Sequence, residues 1–560
     1  MTRSRALSAA AITSGLVAFA CTVATGARAV QPHGRPRPAP VYRWLVRAVG
    51  PAPTVAQENE YPGTSAWRLP GPAADVGGLA YGAVWGYVAE EAVVGGQRER
   101  IYVSAPGARS VRIQIFRIGW YGGKGGREVL RSASLPVVRQ PPCTHQLTTG
   151  LTECDWKPTL TFTVPPALPT GVYIAKLATR AAARDCLFVV LAAKPQPLLA
   201  QLPTSTYEAY NAWGGDSLYP GGADAVGVTG TTQGVEVSYD RPYDSVTGAG
   251  EFFARDVAMV YFLERYGYPV SYTTSESVDQ DPAQLRHHRA LIDFGHSEYW
   301  SEGQRQGFAD ALDAGTSLLF LGSDTLAWRV RYARASAAAS AAGERDHTII
   351  AYKQFAALDP DRSQPSGVFA DGGAALTGSA YVGCITPRLD VPGPPTYRYY
   401  PWAPAAPLSP AWLFAHTGIT AATRIAGIGG YELDRRTAQT PPGTQLIGSA
   451  YAPCMGGPEP GGPPFGGSFD VAETTLYSTA SGAIVFNAGT LGWELGLEPV
   501  PSASPDAPRA PERQLVALTR NLLAFASRRP DHAGQAGRRQ APRGAGPGRR
   551  VTEPPRVQVS

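Results

Sequence analysis

The chain has 560 residues, a formal net charge of +5, 44% hydrophobic residues and 17% charged residues. The hydrophobic share excludes a wholly disordered chain, and the low charge excludes a long coiled coil. Glycine (63) and proline (51) together make about a fifth of the sequence, which implies many turns, and the length implies two to four units.

Residues 1–29 read as a secretory signal. Arg3 and Arg5 precede a small and apolar stretch from Ala9 to Ala24, and Ala27-Arg28-Ala29 fits a cleavage site. Cys21 leaves a lipid-anchored form as the alternative. No later stretch approaches the ~18 uninterrupted apolar residues of a membrane span. The expected location is secreted or cell envelope. Three arginines belong to the signal, and eight arginines face only Asp531 and Glu553 in residues 528–560. The remaining body is therefore mildly acidic, at about −4. The 528–560 segment reads as a disordered basic tail, and with no aromatics between its arginines it gives no reason to expect nucleic acid. Residues 30–60 are Pro-rich and read as an extended linker. Export permits disulfides. Cys143 and Cys154 are suitably spaced for one, Cys384 and Cys454 for a second, and Cys186 sits in an apolar run as a buried hydrophobe.

Residues 61–195 have a strand-and-turn rhythm. Arg100 to Ser104, Val111 to Ile118, Leu160 to Val164 and Gly171 to Leu177 alternate, and the second of these reads as a strand with one apolar face. Such spacing predicts an antiparallel, Ig-like β-sandwich. Residues 196–527 change pattern. Buried-type strands at Leu198–Leu202, Val270–Thr273, Ala290–Gly295, Ser317–Gly322 and Ala483–Gly489 alternate with helices at Phe252–Tyr266, Glu302–Asp313 and Arg513–Ala526. This predicts an α/β domain with a parallel sheet.

In open α/β sheets, ligands sit at the carboxyl ends of the strands. Three such ends are polar here: Thr204 to Tyr219, His296-Ser297-Glu298-Tyr299-Trp300, and Ser323-Asp324-Thr325. Tyr239-Asp240-Arg241-Pro242-Tyr243 precedes the first helix and forms a fourth cluster. His296 and Glu298 are the sharpest pair, since residues two apart in extended backbone share a side and both types bind metals or move protons. A satisfied turn histidine beside a helix-opening glutamate is the structural alternative. A tyrosine becomes a useful ligand only beside a strongly Lewis-acidic ion. There is no G-x-S-x-G elbow, Walker A or dinucleotide fingerprint. Arg241, Lys353 and Glu432 are polar residues in apolar surroundings. Trp120, Tyr121, Trp213 and Tyr219 leave open a non-catalytic, glycan-binding envelope protein.

The segments Phe116-Arg117-Ile118-Gly119-Trp120-Tyr121-Gly122-Gly123, Ala209-Tyr210-Asn211-Ala212-Trp213-Gly214-Gly215, Asp240-Arg241-Pro242-Tyr243, Gly295-His296-Ser297-Glu298-Tyr299-Trp300, Tyr431-Glu432-Leu433-Asp434 and Phe486-Asn487-Ala488-Gly489-Thr490 carry a resemblance. The chain resembles the large (beta) subunit of N,N-dimethylformamidase and its relatives. The resemblance implies a parallel sheet similar to class I glutamine amidotransferases. It also implies an amidohydrolase with a mononuclear iron held by two tyrosines and a glutamate. Carried onto this chain, Glu298 is the carboxylate ligand, and Tyr210 and Tyr243 are the phenolates, with Tyr207 and Tyr239 close by. His296, Glu432 and Lys353 are the acid–base or supporting groups. Asp324 stands where the family implies an asparagine. The resemblance further implies a small amide substrate and a separate small subunit, and export suggests an envelope substrate. A homo-oligomer stays open.

Overall fold

A computed structural model describes residues 41–69, 84–222, 224–333, 347–388, 396–453, 470–500 and 506–528. The expected signal and nearly all of the basic tail lie outside them, as does Cys454 of the expected second disulfide.

The N-terminal part is built on two sheets. The larger has six strands in the order Tyr42–Trp44, Gly126–Pro136, Ser110–Ile118, Gly171–Ala178, Ala183–Val190, Ala92–Val93. All its pairs are antiparallel except the last. The smaller is antiparallel and joins Trp85–Val88, Arg98–Ser104 and Pro158–Thr163. Ile101, Val103, Leu160 and Phe162 from one sheet and Ile113, Ile115, Tyr173 and Phe188 from the other share one core, a sandwich-like arrangement.

Two features correct the sequence reading here. The stretch expected to be a linker contains the strand Tyr42–Trp44 and the helix Val55–Glu58. Tyr42 and Trp44 fall on one face of their strand and both pack edge-on against Phe162, which ties the segment to the sheet. Ser110–Ile118 buries both faces, not one. Ile113 and Ile115 face the sandwich core, while Phe116 and Ile118 face the larger core beyond, across an irregularity in the ladder between Ile115 and Phe116. Cys143 and Cys154 form a disulfide, and Cys186 is free and buried, as expected.

The second part is centred on a mixed nine-stranded sheet. Val270–Thr274, Leu198–Leu202, Ala290–His296, Ser317–Ser323 and Ile484–Asn487 are parallel neighbours in that order. Asp470–Ser478, Gln445–Ala452, Tyr400–Pro404 and Ile425–Gly429 continue it antiparallel. Every residue of the Ala290–His296 and Ser317–Ser323 strands is buried, which explains their largely apolar sequence. The helices Val257–Arg265, Glu302–Asp313 and Arg513–Ala526 cover the faces. The first begins five residues later than its apolar spacing predicts. Asp256 stands at its N-terminus, but its carboxylate accepts from the Tyr207 hydroxyl instead of capping the helix.

A fully buried arginine–glutamate pair helps link the two parts. Arg117, on a sandwich strand, binds Glu264, on the Val257–Arg265 helix, through both guanidinium nitrogens at 2.7 and 2.8 Å, and both side chains are fully buried. No helix among the described residues is long and apolar enough to cross a membrane.

Candidate active site

Three parallel strands end at one place. Leu198–Leu202 runs into the short helix Thr204–Ala209, which Tyr210 caps. Ala290–His296 ends in His296, and its neighbour ends at Ser323, paired with His296 across the ladder. Two glycines make this convergence possible. Gly295 takes φ +71°, and a Cβ there would come within 2.3 Å of Asp256 Oδ1. A Cβ on Gly322 would sit 2.0 Å from the Gly295 carbonyl oxygen.

Glu298 occupies the turn beyond His296. Its amide donates to Thr206 Oγ1 at 3.0 Å, and its carbonyl accepts from the amides of Ala327 and Trp328 at 3.1 and 2.9 Å. Backbone bonds from two other segments therefore fix its side chain. Two phenols meet that carboxylate. Tyr210 donates to Glu298 Oε2 at 3.0 Å. Tyr219 Oη lies 2.9 Å from both carboxylate oxygens and 2.7 Å from Tyr210 Oη. The two rings stack at 4.3 Å. Tyr299 donates to the Tyr219 hydroxyl at 2.9 Å, and the Lys353 ammonium rests 3.5 Å from the centre of the Tyr219 ring.

His296 forms the other wall. Its Nε2 is 3.0 Å from Glu432 Oε2 and 3.4 Å from both Glu298 Oε2 and Asp324 Oδ2. Its Nδ1 faces Glu251 at 3.5 Å. Burial alone would lower the imidazole pKa. The surrounding anions, Glu432 foremost, outweigh it and raise the pKa well above the usual value. Burial, followed by the charge of Glu298, raises the carboxyl of Asp324. Glu251 goes the other way despite its burial, held at about 2 by Arg255 and His296. Asp324 takes φ +54°, a left-handed conformation that aspartate tolerates, and its amide donates to Asp434 at 2.7 Å. Glu432 opens the strand Glu432–Arg435, whose first carbonyl accepts from the Ser323 hydroxyl at 2.8 Å.

Six of the seven residues expected at the site thus converge: Tyr210, His296, Glu298, Asp324, Lys353 and Glu432. Tyr243 does not join them. It packs on the larger core, where burial, followed by the charge of Glu208, raises its phenol. The second phenol at Glu298 is Tyr219. The neighbouring motif is scaffold: Arg241 is fully buried, binds Glu208 at 2.8 Å and donates to the carbonyls of Asn211 and Asp216. Of the aromatics offered for stacking on glycans, Trp120, Trp213 and Tyr219 are half-buried and engaged with neighbouring rings. Trp213 meets Trp85 and Trp156 edge-on, Trp120 meets Tyr261, and Tyr121 is buried.

The donor set suits a small, hard cation. Three oxygens, from Tyr210, Tyr219 and Glu298, lie 2.7–3.0 Å apart. This is close to the ~2.9 Å edge of an octahedron built on ~2.05 Å bonds. His296, Glu298 and Asp324 also bring ligand atoms within 4.8 Å of one another, all buried. Burial and the charge of Glu298 hold the Tyr210 phenol protonated, so its use as a phenolate calls for a nearby cation.

The family model described as N,N-dimethylformamidase beta subunit-like, C-terminal, matches residues 112–507. No curated protein matches the chain. Among solved structures, a novel carbohydrate acetylesterase from Xanthomonas citri is similar over 41% of this chain and 58% of its own, at 12% identity and a TM-score of 0.12. The chain therefore spans little more than half of that protein's length, and so slight a likeness bears on neither fold nor activity.

Proposed function

We propose that this chain, which belongs to the N,N-dimethylformamidase beta subunit-like family, is an exported, metal-dependent hydrolase of a linear amide C–N bond. The observation that supports it most is the triangle of Tyr210, Tyr219 and Glu298 oxygens beside His296. In this reading Tyr210, Tyr219 and Glu298 hold a single iron. When bound, such an ion supplies Lewis acidity toward an amide carbonyl or a water. Glu432, 3.0 Å from His296, takes the proton of the attacking water, and His296 returns one to the departing nitrogen. Glu251 and Arg255 keep the imidazole oriented from behind, and Lys353 fixes the Tyr219 ring. Asp324 places a carboxyl group where the family implies an amide, which favours a substrate other than dimethylformamide. We also read the five parallel strands as the glutamine amidotransferase-like sheet that the family implies.

The test is amine release from a panel of small N-substituted formamides and acetamides by metal-replete protein. The expected result is hydrolysis that a chelator abolishes, that Glu298→Gln removes, and that Glu432→Gln slows roughly 10²-fold. Hydrolysis indifferent to Glu298→Gln, or none across the panel, would refute the reading.

A further inference from the structure

Away from this site, the sandwich and the second part meet at another buried polar cluster. Glu90 and Glu91 follow the strand Trp85–Val88, Glu276 lies in the first turn of the helix Ser275–Gln280, and His347 precedes the strand Thr348–Ile350. Glu90, Glu276 and His347 bring ligand atoms within 4.8 Å of one another. His347 Nε2 faces Glu90 Oε2 at 3.8 Å, while its Nδ1 lies 3.1 Å from Asp240 Oδ1. A carboxylate on one ring nitrogen turns the other toward a metal, as in carboxylate–histidine–zinc sites. An independent observation is His347 Nε2: its side chain is only 9% exposed, and the nitrogen makes no hydrogen bond while it is turned into this cluster.

We propose that His347, Glu90 and Glu276 form a second metal site for a divalent ion of the zinc or manganese type. One imidazole among carboxylates suits such ions better than calcium or magnesium, which prefer oxygen alone. The site draws its three donors from three separate elements, and water completes its coordination. It ties the Glu90 loop of the sandwich to the Glu276 helix and the His347 strand. It stands independently of the amidase reading.

Full-length protein stripped by chelation and titrated with zinc tests it. The expected result is a rise in melting temperature of roughly 3 °C at a hundredfold excess over the dissociation constant. That rise persists in Glu298→Ala and vanishes in His347→Gln and in Glu90→Gln. A rise lost in Glu298→Ala but kept in His347→Gln would overturn the proposal, as would no rise in the wild type. Zinc-edge anomalous scattering from zinc-loaded wild-type crystals decides the matter even if the variants fail to fold. A peak among Glu90, Glu276 and His347 supports the site, and a map with no peak there overturns it.

Discussion

The chemistry of His296 depends on how many anions surround it. Glu251, Glu298, Asp324 and Glu432 all lie within 3.5 Å of its ring nitrogens, and desolvation by itself would discharge it. One wall of the site is thus rich in proton acceptors and the other in phenols. A nearby carboxylate, Asp293, offers a clean residue-scale prediction. It is buried, accepts from Ser297 and Gln201 at 2.8 Å, and is pushed up to about 8 chiefly by burial. A raised native pKa means stability that is full below about pH 4 and falls as pH rises toward 8. Asp293→Asn should gain on the wild type between pH 5 and pH 8 in urea unfolding, and an unchanged gap would contradict this. At this scale the sequence was informative where spacing is short. His296 and Glu298, two apart, were legible. Tyr219 was not. It reaches Tyr210 only because the Leu218 amide bonds back to the Ala209 carbonyl at 2.9 Å, and no periodicity announces such a loop closure.

Among the elements, the two glycine-tipped strand ends matter most. Gly295→Ala must place a methyl against Asp256 in a left-handed backbone, so it should cost about 1–3 kcal/mol and displace His296 and Glu298 together. Ser301→Ala is the matched control. Ser301 caps the helix Glu302–Asp313 by accepting from the Gln304 amide at 3.0 Å, and losing it should cost about 1 kcal/mol in denaturation with no effect on metal content. Equal effects of both variants on metal binding would contradict the placement of the site. The strands themselves were readable because alternation and continuous apolar runs are local. The start of the helix at Val257 was hidden because Asp256 serves Tyr207, a partner 49 residues away.

For the whole molecule, the connection between its two parts is the feature that composition could not suggest. Phe116, Ile118, Val172 and Ile174 turn from the sandwich into the core that also holds Leu198, Ala200 and Phe262. Arg117–Glu264 crosses the same boundary. We read the sandwich, with Tyr42–Trp44 as its edge strand, and residues 196–527 as two domains that unfold as one. Arg117→Met leaves Glu264 buried without its partner, which should cost about 3–5 kcal/mol. Two separate transitions for the wild type in urea would refute the coupling. The sequence showed the strands of this sandwich but not that a second core covers its outer face, since one strand's pattern does not say what lies opposite. The charge balance is likewise a matter of position in the sequence: the positive excess belongs to residues 1–29 and 528–560, while the stretch between them, which carries the candidate site, is acidic.

The central claim is that Tyr210, Tyr219 and Glu298 hold one iron. Iron content and visible absorbance of purified wild type, Tyr219→Phe and Tyr243→Phe test it most directly. About one iron per chain with a phenolate-to-iron band is expected in the wild type and in Tyr243→Phe, and neither in Tyr219→Phe. A folded, colourless, iron-free wild type, or a band that depends on Tyr243 and not Tyr219, would contradict it.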